Sequence, residues 1–460
     1  MIKFLNKGIS LALLAATVTA TAQKAPHYPI EQFQLPNGMK VILSQDHSTP
    51  VVGLALAYNV GSRNEQQGRT GFAHLFEHMM FQGSDHVGKG EHPRIIGAAG
   101  GVMNGFTRAE DTTYVETVPA EKLPTILWLE ADRMRSLAVT AENLKNQQEV
   151  VKEEKRLSFD NRAYSSAIAV RLPELAYSNY ANQHSTIGSM ADLDAASLSD
   201  VKSFFKTYYA PNNATLVLVG DFDPKQAREL VTNAFKDIPK QPTPPKTDLT
   251  EPAQTAEKRA IMTDPLARLP GLMMAWHGPS LNDPDRYAVD ILCDILFGGE
   301  SSRGYQEIVK KRQLALQVQG GLQSQRGPSL INVISIYPPN VKEADLEQAI
   351  TAQIEAIQQS APSVDELNRI KTVQRAQRYA RGVGGFGGLD TMLGRAIAIA
   401  DYAVFQGDPN LVNTEMEHYM AVTPEQVQAV AKKYFTPQNR SVLEVKAGAG
   451  APTPGPGGNR

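Results

Sequence analysis

The spacing of apolar positions changes along the chain, and the two spacings predict two kinds of element. The runs MKVILSQ (39–45) and TTYVETVP (112–119) alternate as strands do, whereas LPTILWLEADRMRSL (123–137) has the longer apolar period of a helix. Each half of the chain mixes such runs in the order strand, helix, strand, long helices, strand. This order favours an α+β fold in which antiparallel-rich sheets pack against helices.

A second pattern is an internal repeat. The stretch VKSFFKTYYAPNNATLVLVGD (201–221) resembles VQAVAKKYFTPQNRSVLEVKA (427–447), because each predicts an amphipathic helix, a turn at a proline and then a strand. A looser match pairs VVGLALAYNVGSRNE (51–65) with PGLMMAWHGPSLND (270–283). The matches predict a duplicated domain, with two similar folded units rather than a solenoid.

The length of the chain, 460 residues, exceeds what one hydrophobic core usually supports, so two or more domains are expected. The stretch PKQPTPPKTDLTEP (239–252) is rich in proline and poor in apolar residues, which is typical of an extended linker. The predicted organisation is a signal peptide at 1–22, a first domain at 26–238, a linker at 239–256, a second domain at 257–447 and an irregular tail at 448–460.

The N-terminus, MIKFLNKGISLALLAATVTATAQK, has two lysines ahead of a short apolar segment and an A-x-A site at Ala20–Ala22. This pattern predicts a cleavable signal peptide, with Gln23 as the first mature residue. An uncleaved membrane anchor is the alternative, but the apolar segment is short and diluted by Thr and Ala. A bacterial-type signal without disulfides favours the periplasm, and an extracellular destination is the alternative.

Composition excludes few classes of function. The chain is 42% apolar and 20% charged with a formal net charge of -2, so it has a globular composition and no basic surface that would favour nucleic acid as a partner. The single cysteine, Cys293, cannot form an intrachain disulfide. Its apolar surroundings, YAVDILCDILFGG, favour a buried small residue over a nucleophile.

Candidate chemistry centres on GFAHLFEHMMFQGS (71–84). In a helix, His74 and His78 share one face and Glu77 lies one turn from His74. Two neutral imidazoles one turn apart can hold a divalent metal ion, while the glutamate stays free to act as a general base. The motif H-x-x-E-H is the signature of the inverted-motif zinc peptidases. Its apolar neighbours favour a metal over a solvent-exposed histidine pair, because buried imidazoles need partners.

A catalytic zinc takes three protein ligands, so one more ligand must come from elsewhere. The acidic run NQQEVVKEEKR (146–156) offers Glu149, Glu153 and Glu154. Such a run is usually a solvated helix face, and the residues alone leave the choice among the three open.

Six stretches, in this order, carry a resemblance to a known family: FQLPNGMKVILSQDHSTPVVGLALAYNVGSRNE, GFAHLFEHMMFQGS, GGVMNGFTRAEDTTYVETVP, NQQEVVKEEKR, TYYAPNNATLVLVGDFDP and FGGESSRGYQEIVKKRQLALQV. The chain resembles the pitrilysin or insulysin zinc metallopeptidases, and most of all their bacterial, mitochondrial-processing-peptidase-like branch of two-repeat chains. The resemblance implies two homologous repeats, each an antiparallel-rich sheet packed with helices. Together they would form half of a clam-like peptidase chamber, with the second repeat inactive.

The resemblance also implies roles for individual residues. His74, His78 and Glu154 would hold one zinc ion per chain, and Glu77 would be the base that activates water and returns the proton to the leaving amine. Manganese or cobalt would suit similar ligands, so the choice of zinc rests on the His2Glu set and on the family. Asn104, in GGVMNGFT, matches a family position near the substrate backbone, and a turn asparagine before a glycine is the alternative.

Two departures from the family pattern bear on activity. Gln147 stands where the family usually has a glutamate seven residues before the third ligand, so any role of a carboxylate beside that ligand is weakened. Val309 and Leu316 stand where active single-chain members carry an Arg and a Tyr that reach the substrate. Within the family, this implies a catalytic subunit whose partner, a related chain without the zinc motif, supplies the Arg and Tyr.

The expected function is therefore that of a zinc-dependent endopeptidase or oligopeptidase that cleaves short unfolded peptides, as the catalytic subunit of a heterodimer. One alternative is a non-catalytic structural or assembly subunit of the same fold. Another is a metal-binding module without hydrolysis, which would tolerate loss of Glu77. The retained polar residues favour the peptidase, because buried polar clusters seldom persist unpaired.

Overall fold

The computed structural model describes residues 26–380 and 386–448. The predicted signal peptide and, apart from Gly448, the predicted tail lie outside the described residues. Among the helices in these two ranges, none is both long and apolar enough to cross a membrane. The described chain forms two mixed β-sheets surrounded by helices, so the predicted α+β class is confirmed.

The first sheet contains the strand that will border the candidate site. Its strands are β1 (Glu31–Gln34), β2 (Lys40–Gln45), β3 (Val51–Tyr58), β4 (Val102–Thr107), β5 (Thr112–Pro119) and β6 (Ala214–Gly220). The spatial order is β1-β2-β6-β3-β5-β4, in which β2 and β6 are parallel and the other neighbours antiparallel. Strand β4 is therefore an edge strand.

The second sheet repeats this topology. Its strands are β7 (Lys258–Asp264), β8 (Gly271–Gly278), β9 (Gln317–Gln323), β10 (Ser329–Ile336) and β11 (Arg440–Ala447). The spatial order is β7-β11-β8-β10-β9, again with one parallel pair, β7 and β11. Taken in chain order, these five strands occupy the same places as β2 to β6 in the first sheet, which confirms the two predicted repeats.

Helices occupy most of the chain between the strands. In the first half they are α1 (Phe72–Met79), α2 (Glu91–Ala98), α3 (Leu123–Ser136), α4 (Ala141–Lys155), α5 (Leu172–Ala176), α6 (Tyr180–Gln183), α7 (Met190–Ala195), α8 (Leu198–Tyr208) and α9 (Pro224–Phe235). In the second half they are α10 (Asp285–Phe297), α11 (Glu343–Gln359), α12 (Val364–Ala380), α13 (Met392–Asp401), α14 (Leu411–Ala421) and α15 (Pro424–Tyr434). Short segments of 3-10 or π helix lie between these elements, among them Arg156–Asp160, Ala167–Arg171 and Tyr305–Lys311.

The repeated helix-turn-strand unit is held in the same way in both halves. The side-chain amide of Asn213 donates to the carbonyl oxygen of Tyr208, at the end of α8, over 2.9 Å. In the second half, Asn439 donates to the carbonyl of Tyr434, at the end of α15, over 2.8 Å. Each asparagine thus satisfies a carbonyl that the helix itself leaves unpaired and fixes the turn into the next strand.

The two halves exchange segments across their sheets. One face of each sheet packs against helices of its own half and forms the two larger hydrophobic cores. The other face of the first sheet is covered by α13, which lies on β3 and β6. The other face of the second sheet is covered by α5 and the preceding turn, Ala167–Arg171. Each half therefore needs the other to bury one face of its sheet.

The residues of the predicted linker, 239–256, form no helix or strand, yet they are bound closely to the first half. Asn179 donates its amide to the carbonyls of Asp248 and Thr250 over 2.9 and 2.8 Å. Gln241 exchanges two hydrogen bonds of 2.9 Å with Asn212. These hydrogen bonds hold the segment against the first half, so it does not act as a flexible linker.

The loop that follows β4 joins the two halves beside the candidate site. Arg108 forms ion pairs with Asp111 in the same loop and with Asp401 on α13, where its Nη1 lies 3.0 Å from Oδ2. The carboxylate of Glu110 accepts the backbone N–H of Arg326, from the loop between β9 and β10, over 3.1 Å. The end of β4 is thereby held by residues of the second half.

Candidate metal centre

The H-x-x-E-H motif lies on α1, a helix of eight residues that is buried on nearly every side. Its apolar residues belong to the first core, and this packing explains why so short a segment is helical. His74 and Glu77 are buried, and His78 is partly exposed. Gly71 precedes the helix with a φ of 82°, a left-handed conformation that favours glycine.

The two histidines face one carboxylate. His78 Nε2 lies 3.2 Å from Glu154 Oε2, and His74 Nε2 lies 3.6 Å from Glu154 Oε1. The imidazole rings are nearly perpendicular, with their centroids 4.8 Å apart. The structure thus brings together the three side chains that the resemblance singles out, across a separation of 76 positions in sequence.

The periodicity of α4 explains why Glu154 is the residue that reaches α1. Leu144, Gln147 and Val151 form the buried stripe of this helix, and Glu154 continues the stripe by three residues. The other two candidates point away from it. Glu149 pairs with Lys152 over 2.6 Å, and Glu153 pairs with Arg156 over 2.9 Å. Both are exposed, as surface glutamates of an ordinary helix are.

The three groups fit a divalent metal ion. Tetrahedral zinc with bonds of about 2.0–2.1 Å places its ligand atoms roughly 3.3 Å apart, and the two histidine–carboxylate distances lie on either side of this value. The longer distance exceeds that of a hydrogen bond, so His74 and Glu154 do not form a donor–acceptor pair. Two imidazoles and one carboxylate are also the donor types that zinc prefers.

The electrostatics of the site favour the forms that bind a metal. Burial lowers the pKa of His74 to about 4, and the neighbouring His78 lowers it further than Glu154 raises it, so this imidazole is neutral at physiological pH. The hydrogen bond with His78 holds the pKa of Glu154 below its ordinary value. Near pH 7, His74 is therefore neutral and Glu154 ionised, which are the forms of these two groups that bind a metal ion.

Glu77 stands apart from these three groups. Its carboxylate accepts a hydrogen bond of 2.6 Å from the hydroxyl of Thr107, at the end of β4. Burial raises the pKa of Glu77, and the bond from Thr107 lowers it in part. A buried carboxylate with a raised pKa beside a metal site is the group expected of a general base.

Thr107 and Gly105 are site residues that the sequence reasoning missed. Both lie on the face of β4 that is turned to α1, two residues apart as strand geometry requires. A Cβ atom at Gly105 would lie 3.2 Å from Oε1 of Glu77, so glycine makes room for this carboxylate. The signal for them in the sequence was strand-like alternation, which places Gly105 and Thr107 on the face opposite to Asn104. Alternation indicates a strand, but it does not indicate which residue that face contacts.

We expect Thr107→Val to leave zinc content unchanged and to lower about tenfold the kcat/KM of the peptide cleavage that the family resemblance implies. Valine keeps the shape of threonine but cannot donate to Glu77, so the pKa of Glu77 should rise and the acidic limb of the pH–rate profile should move to higher pH. The measurement is kcat/KM between pH 5 and 9. Thr117→Val, on the neighbouring strand β5, is the matched control, and an unmoved acidic limb would contradict the role of Thr107.

The structure places Asn104 on β4, paired with Val115, rather than in a turn, so the alternative of a turn asparagine is wrong. Its side chain is exposed and accepts the backbone N–H of Gly105 over 2.9 Å. Alternation puts it on the face opposite to Thr107 and Glu77. Contact with a substrate would come from the strand that carries Asn104 rather than from a side chain beside Glu77, and this role stays a prediction.

Gln147 lies on the same buried stripe of α4 as Glu154 but is not hydrogen-bonded to it. Its amide nitrogen donates to Asn146 over 2.7 Å. A role for Gln147 in holding the site stays a prediction. Val309 and Leu316, at the positions of the family's Arg and Tyr, lie in the turn Tyr305–Lys311 and just before β9, where Leu316 is 59% exposed.

A second cluster of potential ligands lies wholly in the interior of the first half. His92, on α2, has its Nε2 2.8 Å from Oε1 of Glu116, on β5, while Glu130 forms an ion pair with Arg133, on α3. Burial raises the pKa of both Glu116 and Glu130 to about 7 and lowers that of His92 to about 3. The buried guanidinium of Arg133 disfavours a metal ion here, so the cluster is an internal hydrogen-bonded network.

We expect Glu116→Gln to remove a pH dependence of stability. Because the pKa of Glu116 is raised from 4.5 to about 7, its contribution to the free energy of unfolding is present below pH 4.5 and is lost as pH rises through 7. The free energy of unfolding of the variant minus that of the wild type should therefore be about 1–3 kcal/mol larger at pH 8 than at pH 5, as measured by urea unfolding. The exposed Glu142→Gln is the control, and an equal difference at both pH values would contradict the prediction.

Fold and site together define a class of protein. The chain has two repeats of one α+β unit, and the first repeat presents two histidines and a glutamate around one point with a second glutamate left free. This is the residue set of a metallopeptidase with the inverted motif.

Comparison with known proteins agrees with this class. The family model described as "Insulinase (Peptidase family M16)" matches residues 40–189, and the one described as "Peptidase M16 inactive domain" matches residues 195–373. The second match starts just after the first ends and extends into the second repeat. The chain belongs to peptidase family M16, which confirms the predicted family.

Individual relatives extend over nearly the whole chain. The protein named zinc protease PqqE from Helicobacter pylori is 27% identical over 441 residues, which are 95% of this chain and 97% of that protein. The crystal structure of a protease from Helicobacter pylori has a TM-score of 0.85 at 27% identity and covers 92% of this chain and 100% of that one. The first half of the periplasmic protease PqqL from Escherichia coli, at 17% identity, shares the fold with a TM-score of 0.70 over 91% of this chain and 92% of that one.

Proposed function

We propose that this chain is a zinc-dependent endopeptidase or oligopeptidase that cleaves short unfolded peptides and uses Glu77 as its general base. The observation that carries the proposal is the meeting of His74, His78 and Glu154 beside a buried glutamate that is held by Thr107 and not by any of the three. Membership of a peptidase family and a relative named zinc protease support it.

In the proposed mechanism, His74, His78 and Glu154 hold one zinc ion per chain. Bound zinc would supply a Lewis acid that polarises the scissile carbonyl and makes water a better nucleophile at neutral pH. Glu77, ionised and fixed by the hydroxyl of Thr107, accepts the proton of the attacking water. Glu77 then donates this proton to the leaving amine. Burial favours both steps, because it raises the pKa of Glu77 and brings it closer to the working pH.

Strand β4 suits the binding of an extended peptide. It is one of the two edge strands of the first sheet, so its outer side can pair with a further strand, although the side chain of Asn104 accepts the backbone N–H of Gly105 here. The end of the same strand carries Thr107, the partner of Glu77. A peptide added along β4 would therefore run past the proposed base with its backbone held in register, while Asn104 lies at the exposed edge.

The proposal includes a partner subunit. Val309 and Leu316 cannot donate a hydrogen bond to a peptide carbonyl or to a developing oxyanion, whereas an Arg and a Tyr at these positions could. We therefore infer that a homologous chain without the zinc motif supplies them in a heterodimer. Periplasmic location is proposed from the N-terminal sequence and from the likeness to PqqL, a protein described as periplasmic.

The test is cleavage of unfolded peptides by the purified, zinc-loaded chain, alone and mixed with a homologue that carries the Arg and Tyr. We expect weak cleavage by the chain alone, a gain of about 100-fold in kcat with the partner, and loss of both on chelation, since one oxyanion donor is worth about 10²–10³ in kcat. Addition of zinc after chelation should restore both activities.

Two outcomes would contradict parts of the proposal. Full activity from the chain alone, as a monomer or homodimer, would remove the need for a partner. Zinc binding without cleavage in any pairing would remove the peptidase and leave a structural or assembly subunit of the same fold.

A further inference from the structure

The start of α1 is held by a buried pair of side chains, Glu65 and His184, that the proposed mechanism does not use. Gly71, at the start of the helix, has no side chain that could cap it. The carboxylate of Glu65 takes this place, since it accepts the backbone N–H of Gly71 over 2.9 Å and that of Ala73 over 2.8 Å. These are two of the N–H groups that a helix leaves unpaired at its N-terminus.

Glu65 is fully buried, with 0% of its side chain exposed, and an ionised carboxylate there needs more than two N–H groups. The further partner is His184, whose Nε2 lies 3.2 Å from Oε2 of Glu65. His184 follows the short helix α6, more than 100 residues farther along the chain. It thus connects the start of α1 to a segment that has no contact with the proposed metal ligands in the hydrogen-bond pattern of the described residues.

The hydrogen bonds of His184 define its charge. Nδ1 lies 2.7 Å from the carbonyl oxygen of Tyr180, and Nε2 lies 2.6 Å from the carbonyl oxygen of Ser62 as well as facing Glu65. Carbonyl and carboxylate oxygens only accept hydrogen bonds, so both ring nitrogens must carry a proton. His184 is then an imidazolium, and the ring of Tyr180 stacks on it with centroids 4.6 Å apart.

A second set of contacts binds the same segment to the start of α1. Thr70 donates its backbone N–H to Asp192, on α7, over 3.0 Å, and its hydroxyl accepts the backbone N–H of Ser189 over 3.0 Å. The chain from His184 to Asp192 therefore runs along the N-terminal end of α1, on top of the cap made by Glu65. His74 is the third residue of α1, so a shift of the first turn would move it relative to Glu154.

We propose that Glu65 and His184 form a buried ion pair that positions α1 and thereby sets the affinity of the His74–His78–Glu154 site for its metal ion. Both are positioning residues, because neither touches the ligands' nitrogen or oxygen atoms. The inference rests on the proposed function only in taking these three residues as a metal site. Peptide cleavage plays no part in its test.

The test compares Glu65→Gln, His184→Gln and the double variant with the wild type by competition for zinc with a chromophoric chelator at pH 7.5. Removal of groups that orient metal ligands typically costs 10–100-fold in metal affinity, and we expect about tenfold or more for each single variant. Each single change leaves one buried group without its charged partner, whereas the double variant buries two neutral amides. The loss in the double variant should therefore be smaller than the product of the two single losses.

His47→Gln is the matched control, because His47 also pairs with a carboxylate, Asp221, but is 61% exposed and remote in the hydrogen-bond pattern from α1. Its zinc affinity should equal that of the wild type. Thermal unfolding of all four variants separates positioning from stability. A lower melting temperature with unchanged zinc affinity in the folded protein would overturn the inference.

A second measurement needs no variant. In nitrogen-15 NMR of the zinc-loaded wild type at pH 7.5, both ring nitrogens of His184 should be protonated. A neutral His184, with one ring nitrogen unprotonated, would refute the proposed ion pair even if the variants fail to fold. Zinc binding that is unchanged in every variant would refute the inference and leave the hydrolysis untouched.

Discussion

Glu77→Gln should bind zinc as the wild type does and lose peptide cleavage by about a thousandfold or more. Glutamine has the size of glutamate and its carbonyl oxygen can still accept the hydroxyl of Thr107, so α1 and its two histidines keep their positions. An amide cannot take a proton from water near neutral pH, and a positioned general base typically contributes 10²–10⁴-fold in rate. The measurements are zinc content after dialysis and kcat/KM for an unfolded peptide.

Two controls make this result specific. Glu153→Gln removes a carboxylate that is exposed and paired with Arg156, and it should change neither zinc content nor rate. Residual cleavage in Glu77→Gln should be lost on chelation, since bound zinc would still polarise the scissile carbonyl when the base is gone, whereas cleavage that survives chelation would come from a contaminating peptidase. Chelator-sensitive cleavage at a rate near that of the wild type would exclude Glu77 as the base and leave the metal site intact.

The arrangement of the site explains why one change can separate binding from catalysis. Glu77 and His78 are adjacent on α1, yet His78 faces Glu154 and Glu77 faces Thr107 on β4. The helix thus meets a different neighbour on each side: α4 completes the metal site and the edge strand holds the base. Loss of the base leaves every contact among the three proposed ligands in place.

The periodicity of apolar residues along the chain was sufficient to predict the type of these helices and strands and the internal repeat. The runs 112–119 and 123–137 match β5 and α3 almost residue for residue, and the matched stretches around residues 211 and 437 became equivalent helix-turn-strand units. The exchange of segments between the halves could not be predicted. The apolar pattern of α13 shows that the helix must be buried, but an apolar face does not specify which sheet will cover it.

Site residues that are close together in the sequence could be predicted, whereas those that only the tertiary fold brings together could not. His74, Glu77 and His78 lie within one helical turn and a half, so spacing alone indicated them. Glu154 needed the family resemblance, although the buried stripe of α4 through Val151 carries the same information once the helix is known. Glu65 and His184 are joined only by the tertiary fold, 119 residues apart, and no pattern in the sequence connects them.

Glu154→Ala should lose zinc by at least about 100-fold in affinity, a larger effect than that of residues that only orient ligands. The change removes the one carboxylate that both imidazoles face, at 3.2 and 3.6 Å, and leaves two histidines on a single helix. Two ligands cannot complete the three-ligand site that a catalytic zinc requires, so cleavage should be lost with the metal. Zinc content after gel filtration and titration against a chelator measure the change.

Glu153→Ala and Glu149→Ala are the matched controls, because they remove carboxylates from the same helix at exposed positions paired with Arg156 and Lys152. Neither should change zinc affinity. Zinc content that survives Glu154→Ala but falls in one of the controls would transfer the third ligand to that residue, and α4 would then have to rotate by a large part of a turn. Such a rotation would expose Val151, which is fully buried in the first core, so the packing of α4 itself favours Glu154.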